Sequence, residues 1–404
     1  MPQPQGKFTR PRPPMRQAAL QISLNGLIYA CITLFMGLAA LQSQQNLLYG
    51  VFGLMIGVLL VSGTLSRRIL QKLRVQRQLP DHGVVGKPLV ITYRFENRKH
   101  FTPTLSVNAA ELDGAVGFSR QPQAFLLHTS GRSNHPVTAE VLPLRRGLHR
   151  FDKLQVSTSF PFGFIRRAFI EKQPDKLLVY PPIATVDTAL LALCRAAEHS
   201  GASMRPRPGG QDEFYGVREY RPGENPRNIH WRRSARTMAQ GTLVAREMTQ
   251  VAPPRLFLLV DTWLIDRSPA EFARVEQAIA IAASVAAAAL DADLSVGVLA
   301  WAGQWKRVDP SRGKRHRTDL LSLLGLLPMN VAHDTSQLID QGIRRARDGT
   351  TAVLCTPRDM PAGLDRRYRG ALVVVPAESQ EAKQWFRWDP PIDFAACVPV
   401  EQVA

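Results

Sequence analysis

Two long apolar runs stand near the beginning of the chain. They cover residues 22–41 and 47–65, and no charged residue occurs between positions 17 and 66. A hydrocarbon core of roughly 30 Å takes about 20 helical residues to cross, so each run is long enough. The polar residues 42–46 between them favour a turn. We therefore predict a transmembrane helical hairpin over residues 22–66.

Positive charge flanks this hairpin on both sides. Residues 1–80 contain nine Lys or Arg and no Asp or Glu, which is half of the net charge of +18 carried by the 404-residue chain. The loop at 42–46 has none. By the positive-inside rule, the basic N-terminus (1–21) and everything after the hairpin lie in the cytoplasm. The same basic residues favour contact with anionic membrane lipid.

A GxxxG step, Gly53 to Gly57, lies in the second apolar run. Such a step allows another helix to approach closely. It either packs on the first span or joins two copies of the chain in a homo-oligomer.

The pattern changes to short alternating segments over residues 81–182. Leu89, Ile91, Tyr93 and Phe95 alternate with more polar neighbours, which is the period of a half-buried strand. Further strand-like segments, separated by turn formers, occur at 104–109, 124–128, 137–142, 154–158, 168–171 and 176–180. Such spacing predicts a β-sandwich-like domain.

Residues 254–380 alternate apolar strands with helical patterns. The strands are predicted at 256–260, 294–301, 351–355 and 371–375, and the helices at 269–290, 318–327 and 335–347. Ser268, Pro269 and Glu271 form a capping box with proline at the first helical position. This order predicts an α/β layer domain, followed by a C-terminal tail at 381–404.

Between these regions, residues 200–250 form a segment rich in arginine, carboxylate and aromatic side chains, which we call the signature segment. Arg–carboxylate pairs would lock this loop against the α/β domain. The segment resembles the signature of the domain-of-unknown-function family 58. The residues that carry the resemblance are Gly210, Glu213, Phe214, Arg218, Tyr220, Gly223, Glu224, Arg227, Ile229, Trp231, Arg232, Ser234, Ala235 and Arg236.

The order of the whole chain also resembles that family, including Pro161-Phe162-Gly163 in the β region. The resemblance implies a multi-pass protein of the bacterial inner membrane whose last domain has a von Willebrand factor A-like fold. It also implies two partners, a MoxR-type AAA+ ATPase and a transglutaminase-like membrane protein. The family's activity is not settled, so the resemblance implies a partner more than a reaction.

A metal-binding von Willebrand factor A domain carries D-x-S-x-S after its first strand, because a hard cation prefers carboxylate and hydroxyl oxygens. Asp261 holds the first position, but Trp263 and Ile265 replace the two hydroxyl residues. Asp266 and Asp334-Thr335 offer a partial set of ligands. We expect no cofactor and regard Mg²⁺ as the weaker alternative; Asp261 then simply ends a strand.

Signals for an enzyme are weak. The chain contains no HExxH, no P-loop and no GxSxG motif, and its four cysteines form no CxxC pair. An acid–base site of His230 with Glu213 and Glu224 is conceivable, although a structural arginine cluster explains the same residues. The basic runs at 315–317 and 344–347 lack interleaved aromatics, so nucleic-acid binding is not expected.

We therefore expect a cytoplasm-facing scaffold or adaptor of the inner membrane that works with a MoxR-type ATPase. The signature residues would bind that partner or support the structure. The alternative is a metal-dependent or hydrolase-like activity at the sheet edge near Asp261.

Overall fold

The computed structural model describes residues 17–43, 45–113, 117–201, 207–237, 242–250, 255–329, 335–345, 350–359 and 372–397. The coarse fold prediction is confirmed, since two apolar N-terminal helices precede a mixed α/β body with several sheets. Two units divide the chain, Met1–Tyr180 and Pro181–Ala404. Each is described separately.

The first unit begins with a strand and the two apolar helices, β1 (Gln17–Ile22), α1 (Leu24–Ser43) and α2 (Asn46–Leu70). Their 20 and 25 residues correspond to roughly 30 and 37 Å of helix, enough to cross a bilayer core. Only 22% and 6% of their most apolar windows are buried. Large apolar side chains therefore remain on the outside of the hairpin.

The two helices meet at Gly37, where a Cβ atom would lie 2.7 Å from the ring of Phe52. A Cβ atom at Gly53 or Gly57 would meet no described heavy atom within 4 Å. The GxxxG step therefore does not pack on the first span, and that alternative is wrong. Homo-oligomerisation through this face stays a prediction.

The rest of the first unit consists of short antiparallel segments in two sheets. The strands are β2 (Leu73–Gln78), β3 (His82–Val84), β4 (Leu89–Asn97), β5 (Thr104–Glu111), β6 (Gln123–Thr129), β7 (Asn134–Val141), β8 (Gly147–Thr158) and β9 (Ile165–Tyr180). The larger sheet has the order β1-β9-β8-β5-β6, with β3 parallel to the end of β9. The smaller sheet has the order β2-β4-β7.

Strand β1 was not expected, since residues 17–21 read as part of a basic flank. It pairs antiparallel with β9, from Gln17 opposite Ile170 to Ile22 opposite Ile165. The segment before α1 and the sheet after α2 are thus parts of one structure. The beginning of α1 and the end of α2 therefore both lie next to this sheet, at the same end of the helical hairpin.

A buried cluster of charges joins the two sheets of this unit. Arg77 of β2 donates to Glu111 of β5 at 2.6 Å and to Asp175 of β9 at 2.8 Å. It also donates to the carbonyl oxygen of Phe151. Burial and the Glu111 carboxylate raise the pKa of Tyr93, so its hydroxyl stays protonated and donates to Glu111 at 3.0 Å. Arg77 lies in the smaller sheet, and the described hydrogen-bond partners of its side chain all belong to the larger sheet.

The second unit contains a five-stranded sheet of order β15-β14-β13-β16-β17. Its elements are β13 (Arg255–Val260), α5 (Pro269–Asp291), β14 (Ser295–Trp301), β15 (Trp305–Ser311), α6 (Lys314–Gly325), α7 (Thr335–Arg345), β16 (Thr350–Thr356) and β17 (Leu372–Pro376). All neighbours are parallel except β15, which is an antiparallel edge strand. Helix α5 is also long and apolar enough to cross a membrane, but 72% of its apolar window is buried, so it is a core helix.

The remaining elements precede or follow this sheet. They are β10 (Thr185–Val186), α3 (Thr188–Gly201), β11 (Arg207–Glu219), α4 (Trp231–Thr237), β12 (Val244–Gln250), α8 (Gln380–Trp385) and β18 (Phe386–Arg387). Strand β18 pairs with β10. The beginning of the expected tail at 381–404 is therefore part of the second unit, while residues 398–404 lie outside the described chain.

We predict that Arg77→Ala lowers the free energy of unfolding by about 3–5 kcal/mol, because it leaves the Glu111 carboxylate buried without its partner. Arg98→Ala is the matched control, since the Arg98–Glu96 pair is exposed and exposed ion pairs contribute little to stability. Denaturant unfolding of the full chain in detergent measures both. Equal losses in the two variants would contradict the assignment.

Candidate functional site

The signature segment folds as a hairpin with a short helical insertion. Strands β11 and β12 pair antiparallel, and the insertion between them contains a 3₁₀ turn (Pro226–Asn228) and the seven-residue α4. The backbone of Glu213 and Phe214 belongs to β11, but their side chains lie outside the described residues.

One set of signature residues holds the insertion on the hairpin. The Ser234 side chain of α4 is buried; its hydroxyl accepts from the Val244 N–H at 2.9 Å and donates to the Val244 carbonyl at 3.2 Å. Ile229 is buried and bridges to Ala245 of β12. Ser234 and Ile229 therefore hold the insertion on the hairpin, which is a structural role.

Arg218, Tyr220 and Glu224 close the turn that follows β11. The Arg218 guanidinium lies 2.8 Å from a Glu224 carboxylate oxygen, and this hydrogen bond lowers the pKa of Glu224. The Tyr220 hydroxyl donates to the Glu224 carbonyl at 2.8 Å. Gly223 has φ +102°, a conformation that side chains disfavour. The ion pair thus lies within the turn itself and keeps Glu224 ionised, which is unsuited to a general acid.

The other signature residues point to the surface. Trp231 at the start of α4 is 61% exposed, and Arg227, Arg232 and Arg236 are exposed as well. Helix geometry puts Arg232 and Arg236, four residues apart, on one face. We call Arg227, Trp231, Arg232 and Arg236 the Trp231 surface. It combines a large exposed aromatic ring with three cations.

Asp261 lies at a second candidate position, directly after β13. The carboxylate is buried: its Oδ1 accepts from the Trp263 N–H at 3.0 Å, and its Oδ2 accepts from the hydroxyls of Thr335 at 2.7 Å and Thr356 at 3.1 Å. The structure therefore brings Thr335 to Asp261, as the partial ligand set required. Thr356 was missed, because it is 95 residues away in the chain.

Trp263 and Ile265, which replace the two hydroxyl residues of the metal-binding motif, make other contacts in this structure. Arg358 donates to the Trp263 carbonyl at 2.7 Å and to Glu271, and its guanidinium stands over the Trp263 ring at 5.0 Å. The Ile265 N–H donates to the same Glu271 carboxylate. Trp263 and Ile265 thus belong to an arginine-centred cluster that supplies no side-chain oxygen toward Asp261.

The oxygen atoms around Asp261 do not match a magnesium site well. Both Asp261 oxygens already accept hydrogen bonds, and no group of three or more His, Cys, Asp or Glu side chains able to hold a metal occurs in the described ranges. Asp266 caps the backbone N–H of Ser268, and Asp334 lies outside the described residues. The expectation of no cofactor is not tested by this geometry and stays a prediction.

The place of Asp261 in the sheet is nevertheless the one where α/β folds bind ligands. The chain leaves β13 toward β14 on one side and later fills β16 on the other, which creates a switch point. Asp261 directly follows the carboxyl end of β13, and Thr356 is the last residue of β16. Sequence alone identified the first of them, because only it carries a recognisable motif position.

The buried cysteines are poor nucleophiles. Burial raises the pKa of Cys194 to about 11 and raises that of Cys355 as well. Both thiols are therefore protonated at neutral pH, and Cys355 packs in β16 as part of the core.

Residues 216–356 match the family described as Protein of unknown function DUF58. The match includes most of the signature segment and extends to the end of β16, so it supports the family resemblance stated above. No curated protein matches the chain.

We predict that Mg²⁺ or Mn²⁺ leaves the melting temperature of the full chain unchanged, because the Asp261 oxygens are already engaged. Thermal unfolding in detergent, with and without the ion, measures this. A cation-dependent rise that disappears in Asp261→Ala but persists in Asp266→Ala would contradict it and favour the metal site.

Proposed function

We propose that the protein is a cytoplasm-facing docking protein, anchored in the inner membrane, that works with a MoxR-type AAA+ ATPase. The single observation that carries the docking role is the Trp231 surface, held on a folded hairpin by buried Ser234 and Ile229. The identity of the partner rests on the family resemblance.

The composition of this surface favours protein binding. Trp and Arg dominate the energetically important positions of protein interfaces. An exposed ring on the same short insertion as the exposed Arg227, Arg232 and Arg236 suits a partner that offers both an apolar pocket and acidic side chains. The turn formed by Arg218, Tyr220 and Glu224 limits the entropy lost on binding, because the scaffold is ordered before the partner arrives.

The membrane location has independent support. The pairing of β1 with β9 puts both ends of the hairpin on one side, and Arg67 and Arg68 are exposed at that end of α2. Positive charge there favours the cytoplasmic side and anionic lipid. We propose that both termini are cytoplasmic and that the protein is multi-pass.

The finer predictions fit the same proposal. A von Willebrand factor A-like fold is supported by the mostly parallel sheet with Asp261 after its first strand.

A transglutaminase-like membrane protein is a second partner by resemblance alone. The open Gly53–Gly57 face leaves room for a homo-oligomer. Nucleic acid is not proposed as a partner.

A metal-dependent or hydrolase-like activity near Asp261 is the second candidate. What favours it is the switch point, with the Thr335 and Thr356 hydroxyls close to a buried carboxylate. The cation titration described above separates this candidate from plain docking.

We predict that Trp231→Ala and Arg227→Ala each weaken capture of the MoxR-type ATPase by about 2 kcal/mol, roughly 30-fold in Kd. Binding of the ATPase to the full chain in nanodiscs measures this. Leu326→Ala, also an exposed apolar residue of the second unit at 54%, is the matched control.

Melting separates docking from folding in these variants. Both surface substitutions are expected to leave the melting temperature unchanged, whereas Ser234→Ala lowers stability by about 1–3 kcal/mol, since it leaves the Val244 N–H unsatisfied. Wild-type capture by Trp231→Ala and Arg227→Ala would remove the Trp231 surface from the proposal.

We also predict that a reporter fused after Ala404 is active only in the cytoplasm, because the hairpin returns the chain to its starting side. A paired phosphatase and fluorescent-protein fusion measures this. A fusion after Asn46, between the two apolar runs, is the control and should place the reporter outside the cytoplasm. Export of the reporter by the full chain would overturn the proposed orientation.

A further inference from the structure

The loop between β8 and β9 carries an apolar sequence that the docking role does not use. Residues 160–164 read Phe-Pro-Phe-Gly-Phe, and we call them the aromatic loop. Phe162 is 49% exposed, and its ring lies 5.8 Å from that of Phe164. An aromatic ring held half in solvent, with no polar side chain in the loop, indicates a binding surface.

The aromatic loop is fastened to the beginning of α1. Ser23 donates through its N–H to the Phe164 carbonyl at 3.0 Å and through its hydroxyl to the Gly163 carbonyl at 2.6 Å. The rings of Tyr29 and Phe164 stack at 4.4 Å. These contacts bind the loop to the apolar helix, not merely to the strands on either side of it.

Gly26 shows how close this approach is. A Cβ atom there would lie 2.2 Å from the Phe164 carbonyl oxygen, so any larger residue would push the loop away. The equivalent atom at Gly50 of α2 would meet nothing within 4 Å. The helix therefore has a glycine where the loop backbone lies against it.

The contacts fix the depth of the loop along the hairpin. Gly26 stands two residues after Leu24, the first residue of α1, which is about 3 Å along the helix at 1.5 Å per residue. On the second helix, a Cβ atom at Gly63 would lie 3.6 Å from Ile165, and Gly63 is two residues before the second apolar run ends. Both helices put the end of the aromatic loop at the boundary of their apolar segments.

Cationic side chains begin at the same depth along the hairpin. Arg166, two residues after the last residue of the loop, is exposed. Arg67 and Arg68 are also exposed, and they lie about one turn beyond Gly63 on α2. Aromatic rings beside a layer of cations are typical of proteins at the boundary between acyl chains and headgroups.

We propose that the aromatic loop inserts Phe162 into the cytoplasmic leaflet beside α1, with Arg166, Arg67 and Arg68 on anionic headgroups. The occupant of this surface is the lipid bilayer. The inference rests on the proposal that α1 and α2 span the membrane. It adds a third point of insertion, which fixes the sheet of the first unit on the membrane surface.

The test uses the full chain in vesicles of phosphatidylethanolamine and phosphatidylglycerol. Cys31→Ser removes the exposed thiol of the hairpin, and the other three cysteines are buried. In that background, Phe162→Cys carries an environment-sensitive fluorophore, which is quenched either by iodide in water or by spin-labelled lipid with the spin near the headgroup. We expect blue-shifted emission, loss of iodide quenching and strong quenching by the lipid.

Two further labels calibrate the result. Phe35→Cys, exposed at 70% in the middle of α1, reports the lipid interior, and Leu127→Cys, exposed at 72% in β6 at the opposite edge of the sheet from β1, reports water. If the label at Phe35 is quenched by iodide like a label in water, the spanning proposal fails and the loop proposal fails with it. If the label at Phe35 is in lipid while the label at Phe162 is quenched by iodide as strongly as the one at Leu127, the loop proposal alone is overturned. Protection of Phe162 from both quenchers would mean that it lies neither in water nor near the headgroups, which also overturns the proposal.

A glycine pair tests the contact that sets the depth. Gly26→Ala should move the Phe162 label toward water, because the added methyl group displaces the Phe164 carbonyl. Gly50→Ala is the matched control and should leave the label in place. An unchanged depth in Gly26→Ala would overturn the role of α1 in holding the loop.

Discussion

The first unit depends on the antiparallel pairing of β1 with β9, which comprises six residue pairs. They join the residues just before the apolar hairpin to a strand that starts well after it. Ser23 extends this junction by hydrogen bonding to the loop that precedes β9. The sheet, the helix start and the aromatic loop therefore form one rigid corner. The proposed orientation of the hairpin and the proposed depth of the loop both rest on this junction.

The signature segment divides its residues between two tasks. Ser234 and Ile229 face inward and satisfy backbone groups or the core, whereas Trp231 and the arginines face outward. The sequence alone does not distinguish the inward from the outward residues, because both tasks require specific residue types. Burial separates them: we expect replacement of an inward residue to change stability and, under the docking proposal, replacement of an outward one to change recognition.

Sequence predicted best those elements whose pattern is local. The strand expected at 256–260 is found at Arg255–Val260, since a strand buried on both faces is a continuous apolar run. Ser268 caps the start of α5 as expected, but the Glu271 carboxylate binds Ile265 and Arg358 instead of the Ser268 N–H, so the reciprocal half of the capping box is absent. Strand β15 was missed because it is a half-exposed edge strand with a polar sequence. Thr356 and Arg358 were missed because their roles depend on contacts with Asp261 and Trp263 about 95 residues away.

The pairing of the first strand also determines the order in which the chain is assembled. Gln17–Ile22 is made first but pairs with residues translated roughly 150 positions later. At about 5–20 residues per second, its partner follows after roughly 8–30 s. Helices α1 and α2 are therefore synthesised while β1 still has no partner, and the edge of β9 closes only after synthesis has passed Tyr180. The helical hairpin is thus complete in the nascent chain well before the sheet that joins its two ends.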